Sequence, residues 1–140
     1  MLSKVDDWWS LDLSGYQVTQ CLVDFAFSIR LHAGGKGFAE SVFLRIEVPF
    51  ICEINSETFS LDAEKRRDEL GPALRLFQRV ASDAQISERG DLRFSFVDGA
   101  YLIAAPDMKY EAWNLSGPFG ILIALPGGGV AQFPPNTPET

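Results

Sequence analysis

The sequence predicts an α+β chain that is mostly β: a curved antiparallel sheet or partly open barrel of about seven to nine strands, with one short helical insertion at about residues 62–80. Three observations predict it. Apolar residues alternate with a period of two through most of the chain from Tyr16 to Phe133. Gly, Pro, Asn and Asp punctuate those runs at short intervals. One stretch only, "LDAEKRRDELGPALRLFQRVAS" from Leu61 to Ser82, changes to helical spacing.

The opening "DDWWSLDL" is either a short helical turn capped by Asp6 or Asp7 or an extended arm, and residues 1–12 are read as an N-terminal arm. "YQVTQCLV" (16–23) has a mixed face and is read as a strand from its β-branched and aromatic content. "FAFSIRLH" (25–32) alternates more cleanly, with Phe25, Phe27, Ile29 and Leu31 on one side. "AGGKG" makes a turn, "FAESVFLRIEV" resumes the sheet, and Pro49 ends that strand because it cannot donate to a ladder. "FICEI" (50–54) follows.

In the helical stretch Asp62 is a cap and Gly71-Pro72 splits the helix. Leu70, Ala73, Leu74, Phe77 and Val80 then form a stripe expected to lie on the sheet. Beyond it, "ERGD" turns into a strand with Leu92, Phe94 and Phe96 on one face. Asp98-Gly99 then marks a hairpin, since Asp-Gly tolerates positive φ at both central positions. "YEAWNLS" and "ILIAL" are strands joined by "GPFG", and "PGGG" turns into "VAQF". Residues 134–140, "FPPNTPET" less its first Phe, read as a flexible tail.

At 140 residues the chain is one domain with room for a core. It carries 12 basic and 19 acidic residues, a net charge of −7. That disfavours nucleic acid, which requires a basic face, and anionic lipid for the same reason. A basic protein partner is compatible with it, though such a charge often serves solubility alone. No apolar run reaches the ~20 residues of a membrane helix, and no secretory signal opens the chain, so a cytoplasmic protein is expected. Cys21 and Cys52 are either a cross-strand pair or buried free thiols, and a cytosolic chain favours the second. With one histidine they make no zinc signature, so neither a metal nor a cofactor is expected.

No catalytic motif is present. His32, the single histidine, is read as a solvent-facing residue at a strand end. The glycine runs lack the context of a phosphate loop. Arg89-Gly90-Asp91 is read as hairpin punctuation, and Asn114-Leu115-Ser116 as a glycosylation pattern without meaning in a cytosolic chain. The strand alternation through "YEAWNLS" puts Glu111 and Trp113 on one face and Tyr110 on the other. Glu111 is then either a carboxyl raised by burial to act as a general acid, or a structural pin bonded to a backbone N–H or to an arginine such as Arg93 or Arg45. The pin is favoured, because a buried carboxylate needs a partner with or without chemistry. Tyr110, Glu111, Trp113, Asp98 and Tyr101 are accordingly the candidate binding site or structural lock, with no catalytic residue assigned. Trp8, Trp9 and Phe119 are candidate partner-surface residues, or they close one end of a barrel.

The order of signals resembles the domain-of-unknown-function 6188 family of small bacterial proteins. The resemblance rests on Gly90, Leu92, Phe94, Phe96, Asp98, Gly99 and Leu102 in one hairpin, then Pro106-Asp107, "YEAW", a Gly-Pro turn and a final "PGG" hairpin. "LSGYQVTQCLVDFAFSIRL" is similar to the family's opening strand pair. It implies one compact β-rich domain and brings no activity with it. Small acidic proteins of this type include immunity proteins of toxin systems, which is an analogy of kind only.

The functional expectation is a cytosolic, non-enzymatic protein-binding module, immunity-like in type, with a basic partner. The alternative is a carrier or enzyme for a small apolar ligand. Its cavity would lie inside the curved sheet, lined by Phe25, Phe27, Phe94, Phe96 and Trp113 with Glu111 as the polar group. A homodimer through an exposed strand edge, "FICEI" or "VAQF", is a third possibility.

Overall fold

The computed structural model describes residues 2–37 and 40–135. Among the described residues, thirteen strands form two sheets. In chain order they are β1 (Leu2–Val5), β2 (Trp8–Asp12), β3 (Tyr16–Val23), β4 (Phe27–Ala33), β5 (Val42–Ile46), β6 (Phe50–Ile54), β7 (Glu57–Leu61), β8 (Ala81–Ser87), β9 (Leu92–Phe96), β10 (Tyr101–Ala104), β11 (Trp113–Gly117), β12 (Gly120–Ala124) and β13 (Val130–Phe133). The first sheet has the order β1-β2-β8-β9-β10-β6-β7, the second β13-β12-β11-β5-β4-β3. Every pairing is antiparallel.

The inward faces of both sheets feed one core. Leu11, Ile29, Leu31, Leu44, Phe94, Leu102, Trp113 and Leu115 are fully enclosed there. Phe27 stacks on Phe50 at 5.6 Å, which joins a ring of one sheet to a ring of the other. The sheets also meet along the start of β3. The Val18 N–H donates to the Arg79 carbonyl, and the Gln78 N–H donates to the Val18 carbonyl, both at 2.9 Å. Bulges at Val18/Gln20 and Ala81/Asp83 bend the two strands at that corner. Each sheet keeps two edge strands, so they do not close into the single sheet or barrel expected from the sequence.

Three further expectations are corrected. Residues 2–12 are no arm: β1 and β2 form a hairpin, and β2 pairs with β8 from Trp8↔Ser87 to Asp12↔Asp83. The two-residue turn between them is Asp6-Asp7, with Asp6 at φ 55°. The helical insertion contracts to a 3-10 turn at Arg67–Glu69 and a single α turn, α1 (Gly71–Leu74). Beyond α1, Arg75, Leu76 and Phe77 each donate to the carbonyl three residues back. A period of three puts Leu70, Ala73 and Leu76 inside and leaves Leu74 and Phe77 exposed. The expected stripe through Leu74 and Phe77 follows from the looser α spacing, which does not persist. Finally, "FICEI" is β6, an interior strand between β10 and β7, and so offers no edge for pairing; "VAQF" is β13, an edge.

Of the expected tail, Pro134 and Pro135 are exposed, and residues 136–140 lie outside the described residues, as do Met1, Phe38 and Ala39. Cys21 is half-buried on β3, Cys52 is buried on β6, and both thiols are free. Burial pushes the Cys52 thiol up to about 11. Among the described residues no helix is long and apolar enough to cross a membrane.

Candidate functional site

Four loops meet at one end of the molecule, and they gather four of the eight candidate residues, Trp8, Tyr110, Glu111 and Trp113. The first is the β1–β2 turn. The second joins β8 to β9 through Ser87–Asp91, the third runs from Ala105 to Ala112, and the fourth joins β12 to β13 through Pro126–Gly129.

Backbone hydrogen bonds tie these loops together. The Glu88 N–H donates to the Asp7 carbonyl at 2.8 Å, and Lys4 pairs with Glu88 across the same two loops. The Gly129 N–H donates to the Arg89 carbonyl at 2.8 Å, and the Gly127 N–H donates to the Asp107 carbonyl at 2.7 Å. Beneath them the buried Trp113 indole N–H donates to the Gly90 carbonyl at 2.9 Å. Trp113 has no exposed surface, so its one polar atom has to find a partner inside, and the loop supplies it.

Gly90 fits this place because of what surrounds it. Its φ is +108°, and an added Cβ would lie 3.2 Å from both the Gly129 carbonyl oxygen and the Pro106 Cβ. On either side of it, Arg89 binds Asp91 through two nitrogens at 3.0 and 3.2 Å. The Ser87 hydroxyl donates to Asp91 at 2.9 Å and accepts from the Asp91 N–H at 3.0 Å. The Arg89 hydrogen bonds, with that of Ser87, hold the Asp91 carboxyl below its ordinary value. Arg89-Gly90-Asp91 is therefore a self-paired turn, in keeping with its reading as hairpin punctuation.

The third loop holds its shape by the same economy. One Asp107 carboxylate oxygen accepts the Lys109 and Tyr110 N–H groups at 2.8 and 3.0 Å. That turn ends before any strand begins, and β11 starts only at Trp113. The expected alternation through "YEAW" is thus corrected: Glu111 is exposed while Trp113 is buried, and the two do not share a face. Glu111 is held by neither expected arginine. Arg45 pairs with Asp24 and Glu47, and Arg93 lies 4.1 Å over the Tyr101 ring.

The remaining candidates separate. Asp98 sits at the β9–β10 turn, where it accepts the Ala100 N–H and pairs with Arg79. Tyr101 is half-buried on β10. Phe119 is buried in the core, so it is no part of a partner surface. Trp9 is half-buried against the core with the Lys4 ammonium 4.8 Å above its ring. Of the proposed partner-surface residues only Trp8 is well exposed, at 47%. Phe27, Phe94, Phe96 and Trp113 are packed into the core, and Phe25 lies outside it at 74% exposed. His32 lies one residue from the end of β4, as expected, and is half-buried with its Nδ1 2.6 Å from the Thr19 hydroxyl.

What the loop end presents outward is therefore Trp8, Arg89, Met108 at 81% and Tyr110 at 66% exposure. Asp6, Asp7, Glu88 and Glu111 are exposed around them. A shallow concavity of about 360 Å³ between Asp7, Trp8, Ser87, Glu88, Arg89 and Asp91 opens on this face. Met108 and Arg89 were not singled out as surface residues in the sequence; the signal was available in a Met and an Arg placed inside turns rather than strands. Among the described residues no group of three or more His, Cys, Asp or Glu side chains is placed to hold a metal ion.

No curated protein and no solved structure matches the chain. The model of a family of unknown function (DUF6188) matches residues 9–134, from the second residue of β2 through β13. The chain belongs to that family.

Proposed function

We propose that this member of the DUF6188 family is a non-enzymatic, cytoplasmic protein-binding module and that the four-loop end is its binding surface. One observation carries the reading. Exposed Trp8, Met108, Tyr110 and Arg89 stand on loops that are cross-tied through their backbones and through Trp113. Trp, Tyr and Arg dominate binding energy at interfaces, and Met is enriched there too. A surface that is ordered before binding loses little freedom when it docks.

The partner is basic. The chain's net charge is −7, and among the described residues this end carries Asp6, Asp7, Glu88, Asp91, Asp107 and Glu111 against Lys4, Arg89 and Lys109, with Lys4 and Arg89 already paired to Glu88 and Asp91. A protein that neutralises a basic partner, immunity-like in type, is the form of this reading we favour.

The test is capture from native lysate at low and high salt with the tagged chain and with its Trp8→Ala/Tyr110→Ala double variant. Both side chains are exposed, so the variant should keep the wild-type circular dichroism. A basic protein retained by wild type at low salt, released at high salt and missing from the variant is the expected result. Equal retention by both chains, or no retained protein at all, overturns the proposal.

A further inference from the structure

Among the described residues the two sheets leave four edge strands, β1 and β7 in the first and β3 and β13 in the second. An open edge is a row of unpaired N–H and C=O groups, and chains blunt it with charges, bulges or a covering segment. Three of the four are blunted in this way. β1 carries Lys4, and β7 carries Glu57. β3 is bulged at Val18/Gln20, and residues 78 and 79 cover its first half through hydrogen bonds to the Val18 main chain. β13 has none of these devices. Its sequence, Val130-Ala131-Gln132-Phe133, holds no charge, and its register with β12 runs without a shift. Among the described residues no segment pairs with its outer side.

The ladder tells which of its groups face outward. The Leu125 N–H donates to the Gly129 carbonyl at 2.9 Å, so Leu125 and Gly129 form a hydrogen-bonded pair of the β12–β13 hairpin. Such pairs alternate with non-bonded ones along an antiparallel ladder. The pairs Ile123↔Ala131 and Ile121↔Phe133 therefore bond across the hairpin, and Val130 and Gln132 direct their N–H and C=O groups to the open side. Side chains alternate as well. Gln132 lies opposite the buried Leu122, so Ala131 and Phe133 stand on the outer face of the sheet, where Phe133 is 51% exposed.

We propose that β13 pairs with β13 of a second copy of the chain about a two-fold axis. One antiparallel register uses both outward residues of each copy: Val130 opposite the second copy's Gln132, and Ala131 opposite the second copy's Ala131 on the axis. Every outward N–H of either copy then meets a carbonyl. The occupant is a second copy because the strand is complementary to itself. Its donors and acceptors match, no charge meets its own image, and the residue on the axis is an alanine, small enough for the close approach of a non-bonded pair. The Phe133 ring comes opposite the second copy's Gly129, which has no side chain to block it. The two six-stranded sheets join into one continuous sheet. Such a contact is smaller than a standard interface and each chain carries −7, so the dimer is weak, with Kd on the order of 100 µM, and tightens as salt screens the repulsion. It uses none of Trp8, Arg89, Met108 and Tyr110 and is independent of the loop-end surface.

Sedimentation equilibrium of the full chain from about 10 µM to about 1 mM, at low and high salt, is the test. The expected result is a mass that rises from monomer toward dimer, more steeply at high salt, with amide exchange slowed at Val130 and Gln132 as the dimer fills. Two variants break the pair and spare the hairpin. Gln132→Pro removes an outward N–H that takes no part in the ladder with β12. Ala131→Glu sets two like charges face to face on the axis. Each variant, once shown to keep the wild-type circular dichroism, should dimerise at least about tenfold more weakly, while Trp8→Ala/Tyr110→Ala should dimerise as wild type does. A monomer at every concentration overturns the proposal. So does a dimer that both edge variants keep, or one that leaves the Val130 and Gln132 amides unprotected.

Discussion

At the scale of single residues, Trp113 and Gly90 act as one device. The indole fills the core and its N–H is satisfied by a loop carbonyl that could approach only because Gly90 has no side chain. Trp113→Phe keeps most of the ring and leaves the Gly90 carbonyl without its donor, which should cost about 1–3 kcal/mol. Gly90→Ala forces a side chain at φ +108° against Pro106 and Gly129, with a cost of about 1–3 kcal/mol from the backbone alone. Because both changes break one contact, the double variant should lose less than the two losses added, which urea unfolding of the four proteins would measure. The special standing of "YEAW" was legible in the sequence, and so was the turn at Arg89-Gly90-Asp91. Which of its residues faces inward was not. Strand parity holds only inside a strand, and the Asp107 side chain ends the preceding turn on Tyr110, so parity starts at Trp113 and not at Tyr110.

At the scale of elements, the hairpins set the fold and Asp98 shows how. Partial burial raises its carboxyl, but the Ala100 N–H and the Arg79 guanidinium outweigh this and hold it below its ordinary value. Asp24, held by the Ala26 N–H and Arg45, and Asp91, held by Arg89 and Ser87, are lowered in the same way. A carboxyl that ionises more readily in the folded chain stabilises it above the unfolded-state value of 3.8 and loses that contribution as pH falls through the lower folded value. Thermal stability should therefore be flat near neutrality and fall below about pH 4. Asp98→Asn should lower the melting temperature at pH 7 and make the fall toward pH 3 shallower, as a melting series across that range would record. The β9–β10 hairpin itself was legible from Asp98-Gly99, although only Gly99 adopts positive φ, so the turn is a type I turn closed by a glycine and not its mirror form. Less legible were β7, whose two-residue turn uses Asn55 and Ser56 at φ 52° and 67° without a glycine, and β1–β2, whose turn is Asp6-Asp7. Such turns carry the strain of positive φ in residues that do not announce it. The helical stretch failed for a different reason: apolar residues at spacings of three and four satisfy both α and 3-10 periods, and hydrogen bonds to the third residue back settle it for the tighter one.

At the scale of the whole molecule, the decisive fact is that two open sheets share one core. A mostly β, antiparallel chain was legible from alternation. Its division into two sheets was not, because alternation marks one buried face per strand and is silent on which strands share a sheet. Sheet order depends on contacts such as β2 with β8 and β6 with β10, between segments far apart in sequence. The same topology governs how the molecule comes apart. The sheets join by main-chain hydrogen bonds along the start of β3 and at the loop end, where the Gly129 N–H donates to the Arg89 carbonyl, and the rest of their mutual attraction is the shared apolar interior. Pulling either sheet away would expose Leu11, Phe94 and Leu102 on one side and Ile29, Leu44 and Trp113 on the other, all fully enclosed now. Neither sheet can keep its inner face dry alone, so the two should melt as one unit. Replacing Trp8 and Trp9 by Phe leaves Trp113 as the sole indole, a reporter placed in the second sheet. Its fluorescence and the far-ultraviolet circular dichroism, which sums both sheets, should then trace the same urea transition with the same midpoint. A fluorescence midpoint clearly below the dichroism midpoint would mean that the second sheet detaches first. The loop end would then be a movable joint between sheets: it draws Asp7, Gly90 and Asp107 from the first-sheet side and Gly127, Gly129 and Trp113 from the second. Coincident midpoints would instead fit a binding surface built as a rigid platform across both sheets.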